Sequence, residues 1–257
     1  MDGAASVTDV EMHLVVAPVF GTNCCVVVAD WASAAAPGTP RDCVVVDAGA
    51  GVADAVTRLV TELRLRPRAV LATHGHVDHT WDAAALCERY GVPFRIHAAD
   101  AYRLDDPFGT LGLPGAGVSG ALADALAAAG RHPGDYRSPA RVETFAPGPT
   151  HTTLAAGTVR LGAVHAPGHT EGSTLLLLDD VAPAGAGPES RSGVLLAGDV
   201  LFAGGVGRTD LPGGDAAIMT RTLRDVVGRL DPALAVVPGH GPTTTVGREL
   251  ATNPYLP

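Results

Sequence analysis

The segment from Thr73 to His79 concentrates side chains that bind metal ions. The imidazoles of His74, His76 and His79 and the carboxylate of Asp78 fall within six residues, directly after a short apolar run. Imidazole and carboxylate groups are ligands that zinc, iron and related divalent metals accept. Four ligands in so short a stretch already equal the full set of one tetrahedral ion, and with the ligand-type residues described next the count suggests two ions. Chance clustering of histidines is the alternative.

Three further ligand-type side chains, His169, Asp199 and His240, each follow a short apolar run beside glycine or proline. Taken singly, each would be a solvated loop residue. Because α/β folds place their sites at the carboxyl ends of strands, we expect these three to lie close to the 73–79 segment. The other histidines, at positions 13, 97, 132, 151 and 165, are predicted to be structural or surface residues.

The spacing H-x-H-x-D-H, followed by single His, Asp and His residues, resembles the metallo-β-lactamase superfamily. The stretch Gly207-Arg208-Thr209-Asp210 and the ending Pro238-Gly239-His240 resemble its glyoxalase II-like branch, and the resemblance covers residues 12–254. It implies an α/β fold, the αββα sandwich of the metallo-β-lactamase type, and we predict a single domain over residues 1–257. Two similar apolar hairpins, each enclosing a loop (31–42 and 181–192), agree with two β-rich halves packed face to face.

The resemblance also implies a ligand set for two divalent ions, with zinc expected and iron or manganese as alternatives. His74, His76 and His169 would bind one ion, Asp78, His79 and His240 the other, and Asp199 would bridge both. A bridging hydroxide would then attack an acyl carbonyl polarised by one ion. Asp78 and Asp199 are the carboxylates expected to take part in catalysis.

The function implied by the resemblance is hydrolysis of a small-molecule thioester of the hydroxyacylglutathione type. Because few residues follow His240, we expect weak saturation with the glutathione ester itself. The main alternative is a persulfide dioxygenase, in which a single Fe(II) would use His74, His169 and Asp199. A metal-binding module without turnover is a third interpretation.

Composition narrows the remaining possibilities. The 257-residue chain is 46% hydrophobic, which agrees with one α/β domain and a sizeable core. A net charge of −9 without a basic stripe argues against a nucleic-acid partner. The sequence shows no secretory signal and no apolar run long enough to span a membrane, so we expect a cytoplasmic protein with its four cysteines reduced. The oligomeric state is not indicated.

Apolar periodicity predicts strands that alternate with helices. The predicted strands are Leu14–Pro18, Cys24–Ala29, Cys43–Asp47, Ala69–Thr73, Phe94–His97, Val142–Phe145, Thr158–Val164, Ser173–Leu178, Val194–Ala197 and Ala235–Val237. The predicted helices are Val52–Leu65, Trp81–Tyr90, Ser119–Ala129, Asp215–Leu230 and Val246–Ala251.

For three features of the sequence, two interpretations remain open. The region Asp105–Ala140 is either a surface excursion or a flap that shapes the substrate pocket. Asp47 either orients a ligating imidazole or is a simple turn residue. Arg208 either pairs with Asp210 as a structural clip or faces an anionic substrate.

Overall fold

The computed structural model describes residues 10–28, 39–112, 121–147, 151–183 and 192–256. Within these ranges, each predicted strand and helix has a counterpart in the predicted order, and the structure adds short strands and a short helix that were not predicted. The strands are β1 (Val10–Val16), β2 (Asn23–Val28), β3 (Arg41–Val46), β4 (Leu65–Leu71), β5 (Phe94–His97), β6 (Val142–Phe145), β7 (Thr152–Ala156), β8 (Val159–His165), β9 (Thr174–Pro183), β10 (Ser192–Gly198), β11 (Leu201–Phe202), β12 (Gly205–Val206), β13 (Ala235–Pro238) and β14 (Thr244–Thr245).

Side-chain caps begin two of the α-helices, at Asp215 and at Thr245. The α-helices are α1 (Ala53–Glu62), α2 (Val77–Thr80), α3 (Ala83–Tyr90), α4 (Ala121–Ala128), α5 (Ala216–Asp225) and α6 (Val246–Thr252), and short 3-10 helices cover Ala98–Leu104, Gly109–Leu111, Pro133–Asp135 and Val227–Arg229. The Asp215 carboxylate accepts a hydrogen bond from Ile218 N (2.8 Å) and so caps α5. Gly91 ends α3 in the left-handed conformation, with φ of 65°.

The sheet follows the order β14-β13-β10-β9-β1-β2-β3-β4-β5-β6, and β8 pairs with both β9 and β7. The sequence predicted two similar β-rich halves. The structure shows that one backbone ladder joins them, because β1 pairs in parallel with β9 from Val10 and Val181 onward. The small hairpin of β11 and β12 stands apart from this sheet.

Alternating burial along the strands builds the layers. On β2, Val26 packs into the cluster that includes the buried faces of α1 and α3, while Val27 points to the opposite side. On β9, Leu176 meets the Val27 side, while Leu175 packs in the cluster that contains α5 side chains. The order of layers is therefore helices, sheet, sheet, helices, which confirms the predicted αββα sandwich. Among the residues described, no helix has the length and apolar character needed to cross a bilayer.

Several predicted boundaries were wrong. β4 begins at Leu65 rather than Ala69, and α1 correspondingly ends at Glu62. The sequence hid this start because Pro67 interrupts the strand pattern, and the structure accommodates that proline where the register between β3 and β4 shifts. β7 was missed because most of its residues are exposed and lack an apolar pattern.

Other predicted elements changed in length. The predicted helix over 215–230 divides into α5 and a 3-10 turn. β9 runs on to Pro183, so the start of the predicted 181–192 loop is strand, and its residues 184–191 lie outside the described part of the chain. The same holds for residues 31–38 of the other loop and for Ser119 at the predicted start of α4.

The segment between β5 and β6 packs against α2, the short helix at the end of the 73–79 segment, and against Trp81 just after it. Leu126 of α4 is buried in one apolar cluster with Val77 of α2 and with Trp81. The rings of Phe108 and Tyr136 stand edge-on to the Trp81 ring, with centroids 6.3 Å and 6.0 Å away. These contacts place parts of the Asp105–Ala140 region next to the 73–79 segment, and its role as a flap that shapes a substrate pocket stays a prediction.

Candidate metal centre

Four strand ends deliver the predicted ligand side chains to one edge of the sheet. β4 leads into the 73–79 segment, and β8, β10 and β13 lead to the three single residues. The structure brings all seven predicted side chains together, in groups whose ligand-type atoms lie within 4.8 Å of one another, and these are His74, His76, Asp78, His79, His169, Asp199 and His240.

The first group, which we call the three-histidine position, consists of His74, His76 and His169. Nε2 of His74 lies 3.1 Å from Nδ1 of His76, and Nε2 of His169 lies 3.3 Å and 2.9 Å from these two atoms. All three side chains are buried. Three ring nitrogens therefore converge on one point.

The second group, which we call the Asp–His–His position, consists of Asp78, His79 and His240. Nε2 of His79 lies 3.2 Å from Nε2 of His240. Oδ2 of Asp78 lies 3.1 Å from the His240 nitrogen and 3.7 Å from the His79 nitrogen. This group is less enclosed, since the side chains of His240 and Asp78 are 27% and 22% exposed.

Asp199 lies between the two groups. Its Oδ2 is 3.6 Å from Nε2 of His169 and 3.7 Å from Nε2 of His240. Its Oδ1 is 3.4 Å from Nε2 of His79, and it is buried without a hydrogen-bond partner among the residues described. A buried carboxylate oxygen without a donor is costly unless a cation faces it.

The outward nitrogens of the imidazoles fix which nitrogens face the centre. Nδ1 of His169 donates to the carbonyl of Arg208 (2.7 Å), and Nδ1 of His240 donates to the carbonyl of Phe20 (3.0 Å). With the proton on Nδ1, the lone pair on Nε2 points to the centre. In the three-histidine position, neutral nitrogens whose lone pairs face one another at about 3 Å need a cation between them, so this donor set fits a divalent ion.

Asp47 supports this arrangement from behind. It is buried directly after β3, with a left-handed φ of 60°. It accepts hydrogen bonds from Thr73 N (2.7 Å) and Thr73 Oγ1 (2.8 Å), and its Oδ2 lies 3.0 Å from Nδ1 of His79. The contacts favour the interpretation that Asp47 orients a ligand-type imidazole over that of a simple turn residue.

The two positions differ in charge. Burial, reinforced by the neighbouring imidazoles, lowers the pKa of His74 well below its ordinary value and that of His76 to about 3. Burial also lowers the pKa of His169, although Asp199 opposes it. These three side chains are therefore neutral at neutral pH.

In the Asp–His–His position, burial opposes protonation of both imidazoles but is outweighed. Three surrounding carboxylates raise the pKa of His79 well above its ordinary value. The hydrogen bond to Asp78, assisted by Asp199, raises the pKa of His240. Burial alone would raise the carboxyl pKa values of Asp78 and Asp199, but the attraction of His79, His240 and the other nearby imidazoles together outweighs burial and lowers both.

Arg208 and Asp210 form the ion pair expected under the structural-clip interpretation. Nε and Nη2 of Arg208 donate to the two carboxylate oxygens of Asp210, both at 2.7 Å, and both side chains are exposed. A cavity of about 450 Å³ opens beside this clip, lined by Val206, Gly207, Arg208, Thr209, Tyr255 and residues of α5.

The remaining histidines lie outside this centre. The His97 and His165 rings stack at 4.4 Å, and Nε2 of His13 lies 2.6 Å from Glu11. His132 and His151 are not buried. These contacts agree with the predicted structural and surface roles.

Sequence reasoning missed Asp100 and Arg103, a fully buried ion pair behind the three-histidine position. A signal was available: Asp100 follows β5 closely, much as Asp47 follows β3. The three-residue spacing between Asp100 and Arg103 also allows the two side chains to meet on a helical turn.

Comparisons with known proteins agree with the fold and with the character of the site. A sequence model described as the metallo-beta-lactamase superfamily matches residues 18–181. An uncharacterised protein of Mycobacterium leprae is 36% identical over 234 residues, which cover 90% of this chain and 92% of the relative. Hydroxyacylglutathione hydrolase GloC of Haemophilus influenzae is 28% identical over 255 residues, which cover 95% and 98%.

Solved structures are similar over nearly the whole chain. The B3 metallo-beta-lactamase BLEG-1 superposes with a TM-score of 0.65 at 26% identity, covering 95% of this chain and 99% of that one. TTHA1623, solved in a di-iron-bound form, has a TM-score of 0.64 at 27% identity, covering 95% and 100%. A protein that binds two metal ions thus shares this architecture.

Proposed function

Because this chain belongs to the metallo-β-lactamase superfamily, we propose that it is a binuclear metallohydrolase that cleaves a thioester of the hydroxyacylglutathione class. The observation that carries the proposal is the convergence of two ligand groups on either side of Asp199. The similarity to a hydroxyacylglutathione hydrolase supports the substrate class. We propose zinc as the metal, and the donor set accepts iron or manganese as well.

Under this proposal, the side chains hold and orient two ions. When bound, two divalent ions supply a Lewis acid for the acyl carbonyl and make water nucleophilic at neutral pH. Asp199 would be shared by the two positions, because its Oδ2 lies near both His169 and His240 and its Oδ1 lies near His79. Asp78 and Asp199 offset the positive charge, which makes them the carboxylates most closely tied to catalysis.

The cysteines are poorly suited to act as competing nucleophiles. All four are buried and unpaired. Burial raises the pKa of Cys43 and of Cys87 to about 12, and it raises those of Cys24 and Cys25 as well. Because the thiolate is the nucleophilic form, the raised pKa values make these four thiols poor nucleophiles. Their chemistry therefore supports a reaction in which bound metal supplies the nucleophile.

The second candidate is a dioxygenase that acts on a persulfide. His74, His169 and Asp199 offer the two imidazoles and one carboxylate that a single Fe(II) uses, and the neighbour solved in a di-iron-bound form shows only that a protein of this fold accepts iron. The convergence of Asp78, His79 and His240 favours the binuclear hydrolase, because a single iron leaves those three side chains without a ligand role.

One experiment separates these functions. Purified protein of measured metal content is given lactoylglutathione or glutathione persulfide, while released thiol and dissolved oxygen are followed together. The expected result is thiol release from the thioester without oxygen uptake, lost after metal removal and restored by zinc. Oxygen uptake with the persulfide, together with no thiol from any thioester tried, would establish the dioxygenase instead. A protein that binds metal but turns over neither substrate would be a binding module.

A further inference from the structure

Asp100 and Arg103 form a fully buried ion pair in the 3-10 helix Ala98–Leu104, with Nε of Arg103 3.3 Å from Oδ1 of Asp100. Neither residue is assigned a role by the proposed reaction. Charges buried in this way are stabilised only when hydrogen bonds satisfy their remaining oxygens and N–H groups. The partners of this pair therefore show what it holds in place.

The Asp100 carboxylate joins the two loops that form the three-histidine position. Its Oδ2 accepts from Gly75 N (2.8 Å), and Gly75 stands between His74 and His76. The same oxygen accepts from Thr170 Oγ1 (2.7 Å), and Oδ1 accepts from Gly172 N (2.8 Å). Thr170 directly follows His169, so one carboxylate fixes the backbone on both sides of the position.

Arg103 extends the connection to a third loop. Its Nη2 donates to the carbonyl of Pro212 (3.0 Å) and to the carboxylate of Glu171. Pro212 lies a few residues after Arg208, whose carbonyl accepts the hydrogen bond from Nδ1 of His169. The guanidinium thus holds Asp100 and links it to the segment that orients His169.

Three glycines leave the space that this pair occupies. A Cβ on Gly75 would lie 2.7 Å from Cδ of Arg103, and one on Gly172 would lie 2.6 Å from Cγ of Asp100. A Cβ on Gly213 would overlap the Arg103 guanidinium. All three loops therefore approach the pair more closely than side chains would allow.

We propose that Asp100 is a positioning residue for the three-histidine position, and that Arg103 keeps its carboxylate in place. This inference rests on the proposed function, because it takes the three-histidine group as a metal position. Asp100 sets the distance between the loop of His74 and His76 and the loop of His169. Its loss weakens divalent-metal binding there and leaves the Asp–His–His position unchanged.

Asp42 provides a matched control. It is a buried carboxylate in β3, near the end of that strand opposite to Asp47. It accepts from Arg66 Nε (2.7 Å) and from Thr158 N (2.9 Å), so it resembles Asp100 in burial and in partners. Asp42→Asn therefore reports what the loss of a buried charge does to stability alone.

The test measures metal affinity at each position separately. Metal-stripped His240→Ala protein keeps the three-histidine position, and His169→Ala protein keeps the Asp–His–His position. Asp100→Asn and Asp42→Asn are placed in each background, and Co(II) binding is titrated through its visible absorption. In the His240→Ala background, Asp100→Asn should weaken binding about tenfold to hundredfold and alter the ligand-field bands. In the His169→Ala background, Asp100→Asn should change neither the Co(II) affinity nor the ligand-field bands. Asp42→Asn should leave both unchanged in either background.

Thr170→Val serves if Asp100→Asn does not fold, because it removes one donor to Asp100 while keeping the side-chain shape. It should weaken Co(II) binding in the same background by a smaller factor. Unchanged affinity in the His240→Ala background, or equal weakening in both backgrounds, would overturn the inference while the proposed function stands. Failure of the unsubstituted protein to bind Co(II) would instead overturn the proposed function.

Discussion

The two halves of the candidate centre use the same imidazole chemistry but differ in charge. The three-histidine position contains only imidazoles, and burial keeps them neutral by lowering their pKa values. The Asp–His–His position contains a carboxylate, and its imidazoles have raised pKa values. The same side chain therefore takes a different protonation state according to the carboxylates around it.

This difference in charge determines the protonation state of the side chains that an incoming metal ion would contact at each position. At the three-histidine position, neutral nitrogens with inward lone pairs are ready to bind. At the Asp–His–His position, contacts such as Asp78 to His240 (3.1 Å) must be exchanged for contacts to metal, and protons must leave. We expect the first position to bind its ion more readily near neutral pH.

The residues behind the two positions differ as well. Asp47 reaches an imidazole directly, with Oδ2 3.0 Å from Nδ1 of His79. The Asp100 carboxylate instead accepts hydrogen bonds from the backbone N–H groups of Gly75 and Gly172, which belong to the loops that carry the imidazoles. Asp47 thus acts on the Asp–His–His position through its charge beside His79. Asp100 acts on the three-histidine position by fixing the loops that carry its imidazoles.

The largest expected effect is that of Asp199→Ala, because Asp199 is shared by both positions. The change removes a ligand from each group together with the charge that offsets the ions. We expect loss of at least one metal and a fall in kcat/KM of about a thousandfold or more in a folded protein. Elemental analysis and thioester turnover check this, with Asp42→Asn as control. Two retained metals and normal turnover would show that Asp199 does not bridge.

Single histidine changes should separate the two positions. His169→Ala should empty the three-histidine position and His240→Ala the Asp–His–His position, so each variant keeps about one ion per chain. The physical reason is that each change removes one nitrogen from a set of three ligand side chains. Metal content after dialysis measures this, and circular dichroism checks the fold. Loss of both ions from either variant would mean that the positions do not bind independently.

Metal affinity should depend on pH at one position more than at the other. Binding at the Asp–His–His position must displace protons from His79 and His240, whose pKa values are raised. Its apparent affinity should rise about tenfold per pH unit for each proton displaced, until pH exceeds those raised pKa values. At the three-histidine position the pKa of His76 is about 3, so affinity should be nearly constant across the same range.

Calorimetry in buffers with different ionisation enthalpies tests this contrast, using His169→Ala and His240→Ala as the single-position proteins. Proton release should accompany binding in the His169→Ala protein and be nearly absent in the His240→Ala protein. Equal proton release in the two proteins would contradict the difference in charge.

The ligand-type residues could be located from the sequence because their signal is local. Each one follows a short apolar strand, and the strand ends meet at one edge of the sheet. Asp47 could be named as a candidate for the same reason, with a simple turn residue as the alternative. Asp100 was missed, because its partners Gly75 and Thr170 lie 25 and 70 residues away in the chain. Only the folded arrangement reveals which backbone N–H groups a buried carboxylate meets.

The predicted element boundaries were wrong where tertiary contacts outweigh the local sequence pattern. The register shift opposite Pro67 allows β4 to begin at Leu65, and nothing in the local sequence indicates it. β7 exists because it pairs with β8 rather than because its own residues form an apolar face. The parallel pairing of β1 with β9 likewise depends on residues far apart in the chain.

The smallest expected effect is that of Arg208→Ala, which separates a backbone role from a side-chain role. His169 is oriented by the carbonyl of Arg208, and this contact remains when the side chain is removed. The exposed ion pair with Asp210 is screened by water and salt, so the unfolding midpoint should change little. Metal content should stay at the unsubstituted level, and KM for a thioester should change only slightly if Arg208 is a structural clip. Asp210→Asn is the matched variant, since it breaks the same pair and leaves the arginine in place. A large rise in KM for Arg208→Ala, absent from Asp210→Asn, would show that the guanidinium faces an anionic substrate.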